Sequence, residues 1–592
     1  RPTTMTTTAT DATAAAAAAT ATSAVTTVPV AATAAPLRPH IIFAMVDDLG
    51  WNYPGYHNPE VLTPTLDRLA TTEGVRLESM YVYKYCSPSR GSLLSGRYPW
   101  HLASTRCNLI PSTIPEGLHL DYTLLPAHLA RASYRSHHVG KWHLGFHTGA
   151  YTPVARGFNS SWGFLEGGED HWDHACGAGA AACEVPWRPR GSEANFDLWE
   201  QSDDDFPGRP LLGYNGTRGD LATYSGFIFT RRVVELIERH GTDADADADA
   251  DASSGSASSA DASSPPLFVY WALHNTHAPI EAPRRFLDLY PHLANDTKRQ
   301  TFSAMVSVVD EGVANVTRAL KSRAGMWERT LLIWTTDNGS PIQVAGSNHP
   351  LRGGKSTNFE GGVRVPTFVS GGYLPSAMRG RVLHGLAHVA DWYATFSELA
   401  GLGAAAPSDG PAPSTSTSLW GYVSGAAAAS PRTELVHDHR MFANGTSAAQ
   451  QCNGQRWFEM PGKRALGALR SGRWKLFVGP EGFAAWYGTF SPNASVAPDL
   501  APVDCWDVCL FDVEADPAEH ADVAAAHPDV VAALLERFEQ LEAEYHPPVA
   551  PPPRDNDGFC EVVRAHDGWV APGWHVANGA AAVAEPSVVE QA

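Results

Sequence analysis

Three runs of uninterrupted apolar residues limit the fold more than any other feature of the chain. Ile41–Val46 ends in Asp47-Asp48, Leu267–Leu273 in His274-Asn275-Thr276-His277, and Leu331–Trp334 in Thr335-Thr336-Asp337-Asn338-Gly339. A strand with one face in water alternates apolar and polar residues. A run without alternation is buried on both faces, as in parallel sheets covered by helices. The expectation is an α/β sandwich with a large mixed, mostly parallel sheet between helices. In such sheets ligands gather beyond the carboxyl ends of the strands, and each of the three polar clusters falls there.

A chain of 592 residues is long enough for such a sheet and a second, smaller unit. Residues 1–38 read as a disordered leader rich in Ala and Thr. Residues 39–430 read as the main domain, interrupted at 241–266 by an Asp-Ala and Ser-Ala insert that cannot bury apolar surface. A further biased run spans Ala404 to Ser418. Helices are expected at Arg284–Tyr290 and Asp391–Ala400. Residues 431–592 read as a C-terminal subdomain with an antiparallel sheet. Ala468–Val478 and Cys509–Val513 supply its strands, and Asp512–Pro517 turns the chain. The amphipathic helix His527–Tyr545 then packs through Val530, Leu534, Phe538, Leu541 and Tyr545.

Lys and Arg number 43 against 63 Asp and Glu, a net charge of −20. That balance argues against nucleic acid as partner, yet leaves room for a small basic pocket that takes an anion. No uncharged apolar run reaches the ~18 residues of a membrane span. Seven N-x-S/T sequons, at Asn159, Asn215, Asn295, Asn315, Asn338, Asn444 and Asn493, favour a glycoprotein of the secretory route, extracellular or in a lysosome- or vacuole-like compartment. The eight cysteines are compatible with disulfides there.

The polar clusters carry the chemistry. Asp47, Asp48, Asp337 and Asn338 bring three carboxylates and an amide oxygen to two strand ends, a donor set suited to a hard cation, Ca²⁺ or Mg²⁺. Without a cation, three such carboxylates would repel one another and shift toward protonation. In Lys84-Tyr85-Cys86-Ser87-Pro88-Ser89-Arg90 a helix start is expected, with Ser87 or Ser89 as N-cap. Cys86 would then sit near helix-terminal N–H groups that favour a developing anion. It reads equally as a nucleophile or as a buried or disulfide-bonded cysteine. Lys141 and His143 share one face of an extended segment, His277 follows a buried strand, and Lys355 lies in the loop Leu351-Arg352-Gly353-Gly354-Lys355. With Arg90 these make an anion pocket beside a cation, and a histidine can donate a proton to a leaving group.

Cys86-Ser87-Pro88-Ser89-Arg90 resembles the Cys-(Ser/Thr)-Pro-x-Arg signature of the type I sulfatases, and Gly140-Lys141-Trp142-His143-Leu144-Gly145 resembles their second signature. Asp47-Asp48-Leu49-Gly50, Thr336-Asp337-Asn338-Gly339 and Leu351 to Pro366 follow in family order. The likeness spans Pro39 to Gly403 and resumes at Gly472–Leu476 and Leu510–Pro517. Within the family it is most like arylsulfatases of the arylsulfatase B, N-acetylgalactosamine-4-sulfatase, kind. The resemblance implies an alkaline-phosphatase-like sandwich and a sulfuric ester hydrolase acting on a sulfated glycan or aryl sulfate. It implies that a formylglycine-generating enzyme converts Cys86 to formylglycine, whose hydrate attacks the ester. Carried over by position, Asp47, Asp48, Asp337, Asn338 and the modified residue 86 would bind one Ca²⁺. Arg90 and His143 would hold or deprotonate the hydrate, Lys141 and Lys355 would bind sulfate oxygens, and His277 would protonate the leaving oxygen.

The resemblance also implies the pairs Cys107–Cys560 and Cys176–Cys183, leaving Cys452, Cys505 and Cys509. Two other functions fit the same motifs: a phosphodiesterase or phosphonate monoester hydrolase of the same superfamily, and a non-catalytic binder of sulfated glycans.

Overall fold

A computed structural model of the chain describes residues 38–102, 109–110, 112–176, 183, 195–214, 216–241, 264–443, 458–460, 463–481, 507–544 and 554–573. Most of the Ala/Thr-rich leader and of the Asp-Ala insert lies outside these residues.

The strands of the first part of the chain are β1 (His40–Val46), β2 (Val75–Leu77), β3 (Met80–Tyr81), β4 (Arg135–Lys141), β5 (Ser160–Phe164) and β6 (Trp199–Ser202). They continue with β7 (Asp205–Pro210), β8 (Leu267–Ala272), β9 (Thr330–Thr336), β10 (Phe368–Ser370), β11 (Val382–Leu383) and β12 (Ala387–His388). Ten of them form one sheet in the order β11-β2-β10-β9-β1-β8-β4-β5-β6-β7, and β3 pairs with β12. The middle of the sheet, β9-β1-β8-β4-β5, is parallel. Antiparallel partners flank it on both sides.

The three apolar runs are β1, β8 and β9, three adjacent central strands, and every residue of each is buried. Alternate side chains of β1 enter different cores. Ile41, Phe43 and Met45 pack with Leu93 and Leu94 of the helix Cys86–Ser95 and with Trp392 and Phe396 of the helix Asp391–Leu399. Ile42, Ala44 and Val46 pack with Ile228 and Val233 of Ser225–Arg239 and with Val306 and Val313 of Thr297–Ser322. Emptying such a position, as in Phe43→Ala, costs about 3–5 kcal/mol.

The smaller sheet contains β13 (Glu434–Ala443), β14 (Phe458–Met460), β15 (Lys463–Ser471), β16 (Trp474–Val478) and β17 (Val508–Asp512), all pairings antiparallel. The expected Ala468–Val478 segment is a hairpin rather than one strand, because Gly472 takes a φ of 54° at its turn. The amphipathic helix ends at Gln540 and tightens into a 3₁₀ turn, Leu541–Glu544; Leu534, Phe538 and Leu541 cover the sheet, and Tyr545 lies outside the described residues.

This sheet braces the main one. Lys475, fully buried, pairs with Glu360 and Glu519 at 3.0 Å each. Lys84, two residues before Cys86, donates to Asp438 of β13 at 2.9 Å. Removing one partner of such a buried pair strands a charge and costs about 3–5 kcal/mol. The run Ala404 to Ser418, biased in composition, is stitched down by Arg97, which donates to the carbonyls of Pro407 and Ala412 at 3.1 and 2.7 Å and to the Asp409 carboxylate at 2.8 Å.

The disulfide framework differs from the one implied by resemblance. Cys560 is bonded to Cys183, not to Cys107, and Cys176 is a free thiol. The reason is where the C-terminal helix Asn556–Ala565 docks. Phe559 and Val563 join the main core, and Trp569 pairs with Phe196, so Cys560 arrives 5.2 Å, Cα to Cα, from Cys183. Cys176 packs instead against the Glu166 carboxyl, to which it is hydrogen-bonded. Cys509 is disulfide-bonded, while Cys107, Cys452 and Cys505 lie outside the described residues.

Candidate active site

The carboxyl ends of four parallel strands and one helix N-terminus converge. β1 delivers Asp47 and Asp48, β9 delivers Asp337 and Asn338, β4 delivers Lys141 and His143, and β8 delivers His274 and His277. Cys86 is the first residue of the helix Cys86–Ser95, and Arg90 sits one turn on. Tyr85 occupies the N-cap position without a side-chain bond, so neither Ser87 nor Ser89 caps this helix. Ser89 bonds back to the Tyr83 and Tyr85 carbonyls instead, and the Ser87 hydroxyl accepts from the Ile110 amide.

All the site residues expected from sequence are brought together. Arg90 clamps Asp337, with Nε and Nη2 donating to Oδ2 at 3.0 and 2.8 Å. Lys141 donates to Asp47 at 2.7 Å, and Lys355 lies 2.6 Å from Asp48. The Asn338 amide donates to Asp48 at 2.6 Å, and the Asp48 N–H donates to Asp337 at 3.2 Å. His277 Nε2 stands 3.8 Å from Asp48. His143, two residues past the end of β4, takes a φ of 54° and lies among Lys141, Arg90, Asp47 and Lys355.

Charge is balanced unevenly. Burial pushes the Asp47 carboxyl up, but Lys141, His277, His274 and Arg90 outweigh it and hold it well below the usual carboxylate range. Asp337 is pushed up to about 6, by burial first and by Asp47 next, against the pull of Arg90 and Lys141. Three cationic side chains face the three carboxylates, and Asp337 is the one they compensate least. Burial drives the Cys86 thiol up to about 11 despite Lys141 and Lys355, so at neutral pH it is protonated and a poor nucleophile. His143, desolvated and facing Lys141 and Arg90, is held far below its ordinary value and is neutral.

Two buried oxygens, Asp47 Oδ1 and Asn338 Oδ1, have no hydrogen-bond partner. Asp47, Cys86 and Asp337 present ligand atoms within 4.8 Å of one another.

The family model described as Sulfatase matches residues 39–402 of the chain. The chain belongs to the sulfatase family. An arylsulfatase J of Mus musculus is 32% identical over 532 residues, covering 88% of this sulfatase and 79% of the mouse protein. An N-acetylgalactosamine-6-sulfatase of Mus musculus is 30% identical over 384 residues, 63% of this chain and 64% of that one. Among solved structures, Ps i-CgsB in complex with k-i-k-neocarrahexaose superposes with a TM-score of 0.63 at 21% identity, over 89% of this chain and 98% of that one, a likeness of fold. This sulfatase therefore hydrolyses sulfate esters.

Some residues of the site escaped the sequence reading. Tyr270, inside β8, reaches Arg90 Nη1 with its hydroxyl at 3.3 Å. Gly167 and Gly168 lie directly under His143 and His277: a Cβ there would stand 2.7 and 2.9 Å from the Cε1 atoms of those rings. The signal was a Gly pair just past the end of the β5 run. His274 stood in a recognised polar cluster, but only His277 was singled out from it.

Proposed function

We propose that this sulfatase works through a formylglycine made from Cys86 and a single bound calcium ion, and that its substrates are sulfated glycans or aryl sulfates. The observation that carries the reading is the raised Cys86 thiol at the first turn of a helix, among two lysines and an arginine. As a thiol it is the wrong nucleophile for a neutral site. Oxidised to an aldehyde by a formylglycine-generating enzyme, the same position would supply a hydrate oxygen as nucleophile.

The donor set fits calcium. Asp47, Asp48, Asp337, Asn338 and residue 86 would hold it, and the two orphaned oxygens gain a partner thereby. When bound, calcium supplies positive charge next to the sulfate oxygens and the nucleophile. The side chains of this chain do the rest. Arg90 fixes Asp337 and the first helical turn; neutral His143 accepts a proton from the nucleophile. Lys141 and Lys355 set positive charge from two sides against the sulfate oxygens, where negative charge grows. His277 Nδ1 is held by the Ala278 carbonyl at 2.7 Å, so Nε2 faces the site. Its side chain is 22% exposed, against 15% for Lys355 and none for Lys141, which places it at the mouth where an alcohol departs. The neutral ring carries its proton on Nδ1, so Nε2, open at the mouth, takes up a proton from solvent and passes it to the leaving oxygen.

The sequons, the Cys183–Cys560 bond and the disulfide-bonded Cys509 favour a secretory-route protein, extracellular or lysosomal. Among the described residues no helix is long and apolar enough to cross a membrane. The sequon at Asn338 sits on a fully buried residue and is out of reach of glycosylation in the folded chain.

The deciding experiment is the mass of the tryptic peptide Tyr85–Arg90 from protein made in a host with the modifying enzyme. An aldehyde or its hydrate at position 86 is expected; an intact thiol overturns the reading. Matched aryl sulfate and phosphate esters then separate sulfatase from phosphate-ester chemistry, and faster phosphate turnover would overturn the substrate class.

A further inference from the structure

Beside the oxygen-rich cluster lies a second set of donors, built mostly of nitrogen. Asp47, His274 and His277 present three ligand atoms within 4.8 Å of one another. Both rings are held from behind by backbone carbonyls: His274 Nε2 by Glu169 at 2.7 Å and His277 Nδ1 by Ala278 at 2.7 Å. A carbonyl only accepts, so each of those nitrogens carries the proton; the Glu169 amide, 3.5 Å from His274 Nε2, is the more distant partner. The opposite nitrogens, His274 Nδ1 and His277 Nε2, keep lone pairs. Outer partners of this kind fix the tautomer and orientation of metal-binding histidines.

The lone pairs face the acids. His274 Nδ1 is 3.9 Å from Asp47 Oδ2, His277 Nε2 is 3.8 Å from Asp48 Oδ2, and His274 Nδ1 is fully buried without a hydrogen-bond partner. The His274 ring is wedged in place by stacking on His171 at 4.3 Å. His171 is itself tied to the Ser225 hydroxyl at 2.6 Å and to the His277 carbonyl at 3.0 Å. At 3.9 Å from Asp47 the His274 Nδ1 is beyond hydrogen-bond reach, so with the proton on Nε2 its lone pair is unused in this geometry.

We propose that Asp47, His274 and His277 form a second cation site, selective for a borderline divalent ion such as Zn²⁺, and that filling it inhibits the enzyme. Two imidazoles and a carboxylate match the three-ligand zinc sites that keep a fourth position open, and they are poor ligands for calcium or magnesium, which take oxygen. Inhibition follows from the proposed role of His277: with its Nε2 lone pair on a metal it cannot carry a proton. Asp47 would also be drawn away from the neighbouring oxygen cluster.

The test separates binding from turnover. Calcium-saturated C86A protein, which lacks both the nucleophile and the competing thiol ligand, is titrated with ZnCl₂ by calorimetry. One site is expected, with no heat from MgCl₂. H274Q and, independently, H277Q in that background should each weaken zinc at least about tenfold, the scale that even an outer partner of a metal ligand commands. His277 is partly exposed, so H277Q reports even if H274Q fails to fold. Absence of zinc binding in C86A, or binding unchanged by both substitutions, overturns the site. In the wild-type enzyme, turnover should fall with added zinc and return with a nitrogen-donor chelator in excess calcium. Zinc that binds by calorimetry yet leaves turnover untouched overturns the inhibition alone.

Discussion

Two buried clusters of three carboxylates lie close together in this protein, and they differ in what faces them. In the catalytic cluster Asp47, Asp48 and Asp337 meet Lys141, Lys355 and Arg90. In the cluster behind it Glu166, Glu169 and Asp197 meet His174, which pairs with Glu169 at 3.0 Å, and the Cys176 thiol. Among the described residues no lysine or arginine pairs with any of these three. Burial is the largest influence on both groups, and the counter-charges decide its outcome. Asp47 and Asp48 end below their ordinary values, although Asp337 is still pushed up to about 6, whereas Glu166 is pushed up to about 7 and Asp197 well above its ordinary value. Acids built to stay ionised are surrounded by cations. Asp197 accepts from the Leu165 and Glu166 amides at 3.0 and 2.7 Å, which favours its carboxylate, yet burial and the neighbouring Glu166 and Glu169 outweigh those bonds and keep the proton on.

The comparison breaks if both clusters respond alike to substitution. The largest contrast is at the proposed nucleophile position: C86A should lower sulfate-ester turnover by on the order of 10³-fold or more, with the thermal unfolding transition kept. Residual turnover within tenfold of wild type would remove residue 86 from the chemistry. Next, K141A takes a cation from the catalytic cluster. A loss of roughly 10²–10³ in kcat is expected, the usual cost of one preorganised donor, together with a lower melting temperature because Asp47 loses its buried partner. A change in KM alone would make Lys141 a binding residue only.

The rear cluster should show itself in stability rather than rate. Glu166 ionises near 7 when folded against 4.5 ordinarily. Below 4.5 both states hold the proton. As pH rises toward 7 the unfolded state ionises first, so stability falls across that window by up to roughly 3 kcal/mol. E166Q should flatten this slope in denaturant titrations at pH 4.5 and 7 and leave kcat within about twofold; an unchanged slope would assign the titration to other groups. The smallest effect is calcium itself: at about a hundredfold over its Kd a native-state ligand adds about 2.7 kcal/mol. EGTA should lower the melting temperature of wild type, and calcium should restore it. The E166Q variant should show the same calcium response, since the rear cluster lies outside the donor set proposed for calcium.

The catalytic cluster was legible because it follows local rules. Asp47-Asp48 and Asp337-Asn338 end apolar runs, and Cys86 opens a helix within a compact motif. The rear cluster gave no such sign. Glu166 and Asp197 are 31 residues apart in sequence and meet only because β5 pairs with β6. The Cys183–Cys560 bond spans 377 residues and depends on where the last helix docks, so the pairing carried over from the family resemblance missed it. The same holds for His274, whose outward neighbour Glu169 comes from the segment after β5, 105 residues away in sequence.

By itself, the sequence determined the layered parallel sheet, since uninterrupted apolar strands can be satisfied only by burial on both faces. It also determined which side chains stand at the strand ends. Tertiary structure decided what those side chains are. Desolvation and the distance to the nearest opposite charge are set by packing between elements far apart in the chain. Those two quantities determine whether a buried carboxyl becomes a cation ligand or a proton store.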